Sequence, residues 1–257
     1  MNLLVIGGGG REHAIVKKLK ENPAVETIYC APGNGGIAAD AVCVPEIGAK
    51  DISAQVDFAK THSIDFAVVA PDDPLVLGAV DALEAAGIPC FGPEAKAAII
   101  EGSKVFSKDL MKKYGIPTAE YQVFTDAAAA MDYVKSCALP VVVKADGLAL
   151  GKGVLIAETR EDAVAAVESI MLDRAFGDSG NQVVIEEFLT GPEVSVLAFT
   201  DGKTVVPMVS SMDHKRAHDH DEGLNTGGMG TVAPNPYYTE DMAHMCMETI
   251  FLPTMEA

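Results

Sequence analysis

Leu3-Leu4-Val5-Ile6-Gly7-Gly8-Gly9-Gly10-Arg11-Glu12-His13 decides the fold of the first half of the chain. Four apolar residues in a row, without alternation, predict a strand buried on both faces, as parallel sheets require. The glycines end that strand, and the amphipathic stretch 11–20 predicts a helix. Outward from this unit the alternation repeats, with strands predicted at 27–30, 42–44, 66–70 and 89–91 and helices at 52–62 and 74–86. Gly87 follows the last helix where a C-terminal cap is expected. The pattern predicts an α/β domain built on an open parallel sheet, which binds ligands beyond the carboxyl ends of its strands.

The second half changes character. A helix over 103–114 stops at Gly115-Ile116-Pro117, and strands are predicted at 121–124, 140–144, 154–157, 183–188, 193–199 and 204–210. Helices are predicted over 126–136, 161–171 and 239–249, with Pro253 breaking the pattern after the last. Asp201-Gly202 lies between two strands as a hairpin turn. This half reads as α+β, and no further strand follows to close its last sheet.

Composition limits the function. Hydrophobic residues make up 49% and charged residues 22% of 257, as in a globular protein rather than a disordered one. A formal net charge of -18 argues against a protein that coats nucleic acid, yet allows a local site for a small anion. The five cysteines (Cys30, Cys43, Cys90, Cys137, Cys246) are scattered and never spaced CxxC, which predicts buried thiols in a reducing compartment. No basic leader and no apolar run near the roughly 20 residues of a membrane span is visible, so a cytoplasmic location and no membrane partner are expected.

Five motifs carry chemistry. Gly7–Gly10 followed by Arg11-Glu12-His13 brings backbone N–H groups and a helix N-terminus to an anion, and Pro32-Gly33-Asn34-Gly35-Gly36 ends the second strand on the same rim. The glycine spacing fails as a dinucleotide fingerprint, because Glu12 or His13 stands where the third glycine belongs. Lys144-Ala145-Asp146-Gly147-Leu148-Ala149-Leu150-Gly151-Lys152-Gly153 puts a lysine at a strand end and a second in a glycine loop, which suits a flap over a polyphosphate; an ordinary glycine hairpin fits the same residues. Glu186-Glu187-Phe188-Leu189 and Glu193 form a connecting segment that could read an adenine edge and a ribose, or simply end an edge strand. Asp213-His214-Lys215-Arg216 precedes the glycine loop Asn225-Thr226-Gly227-Gly228-Met229-Gly230, a combination of cations and glycines that suits an anion site. His214, His218 and His220 with Asp219 and Asp221 read as a solvated loop rather than a metal site.

In order and together, with Ser103-Lys104, these motifs resemble the glycinamide ribonucleotide synthetase (phosphoribosylamine–glycine ligase) family of ATP-grasp enzymes over essentially the whole chain. The resemblance implies an N-terminal pre-ATP-grasp domain over 1–102 and an ATP-grasp domain over 103–257, with a flap at about 123–189 and an incomplete central part at 190–257. It implies ATP as cofactor with Mg2+ or Mn2+, and glycine and 5-phosphoribosylamine as substrates joined through an acyl phosphate. Catalytic Lys144 and Lys152 would act on the phosphates with Lys104, Gly151 and Gly153; Glu186, Glu187, Phe188 and Leu189 would hold adenine, and Glu193 the ribose. Gly9, Gly10, Arg11, Glu12, Asn34, Asp213, Lys215, Asn225, Thr226 and Gly227 would bind the other substrates. Leu224 departs from the family, which has proline there. The family's metal ligands are expected beyond Ala257, so no metal ligand is assigned within the chain, which by itself is expected to be inactive. Other ATP-grasp ligases, or a non-catalytic binder of nucleotide or sugar phosphate, share most of these features; a nicotinamide oxidoreductase is disfavoured.

Overall fold

The computed structural model describes residues 1–148 and 153–257, apart from the side chains of residues 221, 224 and 225. The chain divides into two compact units, Met1–Lys104 and Val105–Ala257.

The first unit is a five-stranded parallel sheet. Its elements are β1 (Asn2–Gly7), α1 (Gly10–Leu19), β2 (Thr27–Pro32), β3 (Val42–Cys43), α2 (Ile52–Thr61), β4 (Phe66–Val69), α3 (Asp72–Val76), α4 (Ala79–Ala85), β5 (Cys90–Phe91) and α5 (Ala95–Gly102). The strand order is β3-β2-β1-β4-β5, so β1 lies at the centre and the order reverses between β1 and β4. Alternate residues of β1 feed two cores. Leu4 and Ile6 pack with Ala59, Val69 and Leu83 on one face, while Leu3 and Val5 pack with Val16, Ile28 and Val68 on the other. Each such side chain contributes about 1.5–3 kcal/mol by leaving water, which is why this apolar run is a central strand.

Two features of this unit depart from the sequence pattern. The helix predicted over 74–86 is two helices, because Gly78 takes a left-handed φ of +85° between α3 and α4. The helix α5 was not foreseen, because its first N–H, on Ala95, is capped at 2.8 Å by the Asp81 carboxylate, 14 residues away. Burial pushes the Cys30 thiol up to about 12, which removes it as a nucleophile near neutral pH. All five cysteines are free, but only Cys30 is fully buried; the other four are half-buried, short of the sequence expectation.

The second unit opens with α6 (Lys104–Tyr114) and continues through β6 (Tyr121–Phe124), α7 (Ala127–Val134), β7 (Val141–Ala145), β8 (Val154–Ala157), α8 (Arg160–Val167) and β9 (Val183–Glu187). These strands form an antiparallel sheet in the order β6-β9-β7-β8. Asp126 and Thr159 cap α7 and α8 by accepting from the N–H groups of Ala129 and Asp162. Val141, Val143, Ala145, Val183 and Ile185 face those helices in one core, with Ala130, Val134, Ala163 and Ile170. The period of two then turns Val142, Lys144, Val184 and Glu186 to the opposite face.

Beyond β9 lie three two-stranded ladders: β10 (Ala198–Thr200) with β11 (Val205–Pro207), β12 (Met212–Asp213) with β15 (Thr231–Val232), and β13 (Arg216–His218) with β14 (Glu222–Asn225). Asp201 and Gly202 make the turn of the first, with Gly202 at φ +82° and the Asp201 carboxylate accepting from the N–H groups of Lys203 and Thr204. The strand predicted over 193–199 shrinks to β10, and Ser195 makes only an isolated bridge to Ser211. Helix α9 (Glu240–Cys246) leads through a π-helical turn at Met247–Phe251 into α10 (Leu252–Glu256). Pro253 therefore does not break the helix; it stands in a first turn, where its missing N–H is not needed. Among the described residues no helix is long and apolar enough to cross a membrane.

Candidate functional site

Two loops form a cradle at the carboxyl ends of β1 and β2. The Gly33 N–H donates to the Gly7 carbonyl at 3.1 Å, and Asn34 Nδ2 donates to the Gly8 carbonyl at 2.8 Å. Asn34 Oδ1 accepts from the N–H groups of Gly36 and Ile37, which folds the second loop onto its own side chain. A Cβ on Gly8 would lie 2.7 Å from the Gly33 carbonyl oxygen, so glycine is what lets the loops approach. Glu12, in the first turn of α1, turns back to accept from the Gly9 N–H at 2.5 Å. It is 3% exposed and its Oε1 has no hydrogen-bond partner, whereas Gly9, Gly10, Arg11 and Asn34 are exposed on the rim. Sequence reasoning grouped these five residues, and the structure brings them to one rim of the first unit.

The second cluster stands on the sheet face turned away from α7 and α8. Val142 pairs with Glu186 and Lys144 with Val184, so Lys144 and Glu186 are diagonal neighbours on one face and their side chains form an ion pair. Glu186 also pairs with Lys108 of α6, whose Nζ donates to Thr118 Oγ1 at 2.7 Å and to the Ala119 carbonyl at 3.3 Å. Burial holds Lys108 below the usual lysine range, opposed by the charge of Glu187. Asp146, just past β7, accepts from the Val105 N–H at 3.1 Å and from Gln182 Nε2 at 2.8 Å. It thereby anchors the start of the connection from β7 to β8. The Gly153 carbonyl accepts from the Ala145 N–H at 2.9 Å and closes that connection. Gly151 and Lys152 lie outside the described residues, and Lys104 is the first residue of α6.

β9 lies between β6 and β7, so the backbone of Glu186 belongs to the sheet and its carboxylate is the part that reaches the site. The Glu187 N–H donates to the Glu120 carbonyl, and Glu187 Oε1 accepts from the Glu120 N–H, each at 3.0 Å. Phe188 and Leu189 follow the strand, with Leu189 64% exposed. A cavity of about 450 Å³ wraps round this end of the sheet. Tyr133 and Cys137 line it from the helix layer and Lys144 does not, so it is not the space beside the cations.

The third cluster joins the last two motifs. β13 and β14 pair segments 216–218 and 222–225, and the Thr226 N–H and hydroxyl both donate to the Lys215 carbonyl. The Met229 N–H donates to the His214 carbonyl, and Gly228 takes a φ of +114° with its amide on Thr226 Oγ1. Asp213 crowds Gly228, where a Cβ would lie 2.9 Å from Oδ1. Lys215 pairs with Glu193 at 2.5 Å, which joins two residues that sequence reasoning gave to different ligands. The side chain of Asn225 lies outside the described residues, and Gly227 is exposed.

Sequence reasoning missed Lys108, Asp146 and Asn235. Lys108 left no signal, since a lysine on an amphipathic helix ordinarily faces water, and this one is buried. Asn235 left none either; 3% exposed, it holds the Glu193 and Ser211 carbonyls through Nδ2.

The comparisons agree over the whole chain. The family model described as "Phosphoribosylglycinamide synthetase, N domain" matches residues 1–101, and that for "Phosphoribosylglycinamide synthetase, ATP-grasp (A) domain" matches residues 102–257. A phosphoribosylamine--glycine ligase of Listeria monocytogenes is 52% identical over 253 residues, 98% of this chain and 60% of the relative. The crystal structure of a Thermotoga maritima phosphoribosylamine--glycine ligase superposes with a TM-score of 0.83 at 32% identity, covering 100% of this chain and 61% of that one. The biotin carboxylase domain of Hydrogenobacter thermophilus 2-oxoglutarate carboxylase, determined with MgADP, shares the fold with a TM-score of 0.78 at 17% identity, covering 99% and 58%. The chain thus spans about 60% of the length of the curated relatives it matches.

Proposed function

Because the chain belongs to the phosphoribosylglycinamide synthetase family, we propose that it serves the ATP-dependent joining of glycine to 5-phosphoribosylamine. In this reaction the γ-phosphoryl group of ATP passes to a carboxylate oxygen of glycine and ADP leaves. The sugar amine then attacks the acyl carbon, loses a proton and expels phosphate, which yields glycinamide ribonucleotide. The carrying observation is the face on which Lys144, Glu186 and Lys108 meet beside the Glu186–Leu189 segment.

Charge on the transferred phosphoryl group needs fixed cations in a site that excludes water. Lys144 supplies one from a strand, held in place by Glu186. Lys152, Gly151 and Gly153 would bind the phosphates, and Lys104 would add to the charge. Adenine would lie against Phe188 and Leu189, with Glu193 on the ribose and Lys215 released to a substrate anion. The rim of Gly9, Gly10, Arg11 and Asn34 would hold the sugar phosphate through backbone N–H groups and the guanidinium. Glu12 keeps one carboxylate oxygen for an amine. Among the described residues no three His, Cys, Asp or Glu side chains converge, so no ligand of Mg2+ or Mn2+ is assigned among them and no step is routed through one.

The part of this function that the 257 residues can be tested for is recognition. Calorimetric titration is expected to give saturable binding of ATP and of glycinamide ribonucleotide, and none of NADH. Binding of NADH in place of ATP, or binding of neither ATP nor glycinamide ribonucleotide, would overturn the proposal.

A further inference from the structure

We infer that His13 is a further binding residue of the glycine rim, one that donates a hydrogen bond from Nδ1 of its imidazolium to the phosphate of the sugar. The inference deepens the reading of that rim as a sugar-phosphate site and rests on it.

His13 stands in α1 one turn beyond Gly9, and its N–H donates to the Gly9 carbonyl at 3.1 Å. Its ring is fixed from one side. Nε2 lies 3.0 Å from Asp40 Oδ2, and Lys20 Nζ donates to Asp40 Oδ1 at 3.1 Å. The hydrogen bonds from His13 and then Lys20 hold the Asp40 carboxyl below the usual carboxylate range, so it is ionised and can only accept. Nε2 must therefore carry the proton of its bond, in the neutral ring as in the imidazolium. What changes on protonation is Nδ1, which passes from a lone pair to an N–H.

Nδ1 is on the ring edge that faces the loop after β2. A Cβ on Gly36 would lie 3.2 Å from Asn34 Oδ1, 3.3 Å from His13 Nδ1 and 3.4 Å from His13 Cε1. Gly36 has a φ of -74° and a ψ of -44°, a helical conformation open to any residue, so its backbone does not demand glycine. Its missing side chain instead leaves this edge of the ring uncovered; Gly36 is exposed and the His13 side chain is 29% exposed. Asn34 ties the same loop to the rim, donating to the Gly8 carbonyl and accepting from the Gly36 N–H. Charge then selects the ligand. Lys20 and Lys17 already act on Asp40, so protonating His13 adds positive charge that a phosphate would meet.

The test compares the unmodified chain with His13→Gln, whose side-chain amide can donate to Asp40 as Nε2 does but carries no N–H at the place of Nδ1. Calorimetric titrations use glycinamide ribonucleotide and glycinamide riboside, which lacks the phosphate, from about pH 5 to about pH 8, where histidine changes charge. At the acid end His13→Gln is expected to weaken the ribonucleotide about tenfold, the scale of a charge-assisted hydrogen bond, and the riboside by less than about twofold. As pH rises the imidazolium is lost, and the gap between the two chains is expected to shrink to about twofold. A second measurement needs only the unmodified chain. The His13 ring, followed by NMR, is expected to keep its proton to higher pH with the ribonucleotide bound than without it. Unchanged affinity in His13→Gln, equal losses of ribonucleotide and riboside, a gap that does not change with pH, or an NMR titration unmoved by the ribonucleotide would overturn the inference alone. Failure of the unmodified chain to bind glycinamide ribonucleotide would overturn the sugar-phosphate reading with it.

Discussion

Replacing Lys144 with methionine is expected to weaken ATP binding about 100-fold, because truncating one side of a desolvated charge contact costs about 2–5 kcal/mol. The phosphates lose the lysine that β7 aims across the sheet face, and the Glu186–Lys108 pair left behind offers them no net positive charge. Register makes the effect specific to this position. Val143 and Ala145, either side of Lys144, point into the opposite core, so no neighbouring side chain of β7 can substitute. Calorimetry or displacement of a fluorescent ATP analogue measures it. Affinity within threefold of the unmodified chain would remove Lys144 from the phosphate site.

Replacing Gly7 with valine is expected to cost the first unit about 3 kcal/mol, the sum of a strained backbone and an overfilled turn. Gly7 has a φ of +126°, which side chains rarely adopt. A Cβ there would lie 2.5 Å from Glu12 Cγ and 2.9 Å from Pro71 Cγ. Glu12 cannot give way cheaply, because its Oε2 holds the Gly9 N–H at the start of α1. Pro71 follows β4, so the clash falls where the strand order reverses. Hydrogen exchange at the amides of Leu3–Ile6 would register the loss as protection lowered about 100-fold. Unchanged protection would show that the turn tolerates a side chain.

How much of this was legible in the sequence depends on whether the deciding contact is local. The unbroken apolar runs of β1, β7 and β9 identify their elements because such runs are local properties. The glycine rim was legible for the same reason, since Gly33 and Gly8 carry their conformational demand in their own identity. The Lys144–Glu186 pair was only half legible. Each residue could be placed at a strand end, but their meeting depends on the register of β7 against β9, two strands distant from each other in the chain. Lys108 was hidden because a lysine on an amphipathic helix ordinarily faces water, and only the fold shows this one buried against a carboxylate. The α5 cap at Asp81 and the isolated Ser195–Ser211 bridge were invisible for the same reason. The pairing of Lys215 with Glu193 joins residues that looked independent, because nothing in one segment specifies the other.

The central claim is that a nucleotide occupies the Lys144–Glu186 face with its base against the segment after β9. Photolabelling with 8-azido-ATP, followed by peptide mapping, tests it most directly. The expected result is label confined to residues 183–193 and suppressed by excess ATP but not by NADH. Label in the first unit, or label that ATP does not suppress, would contradict the account.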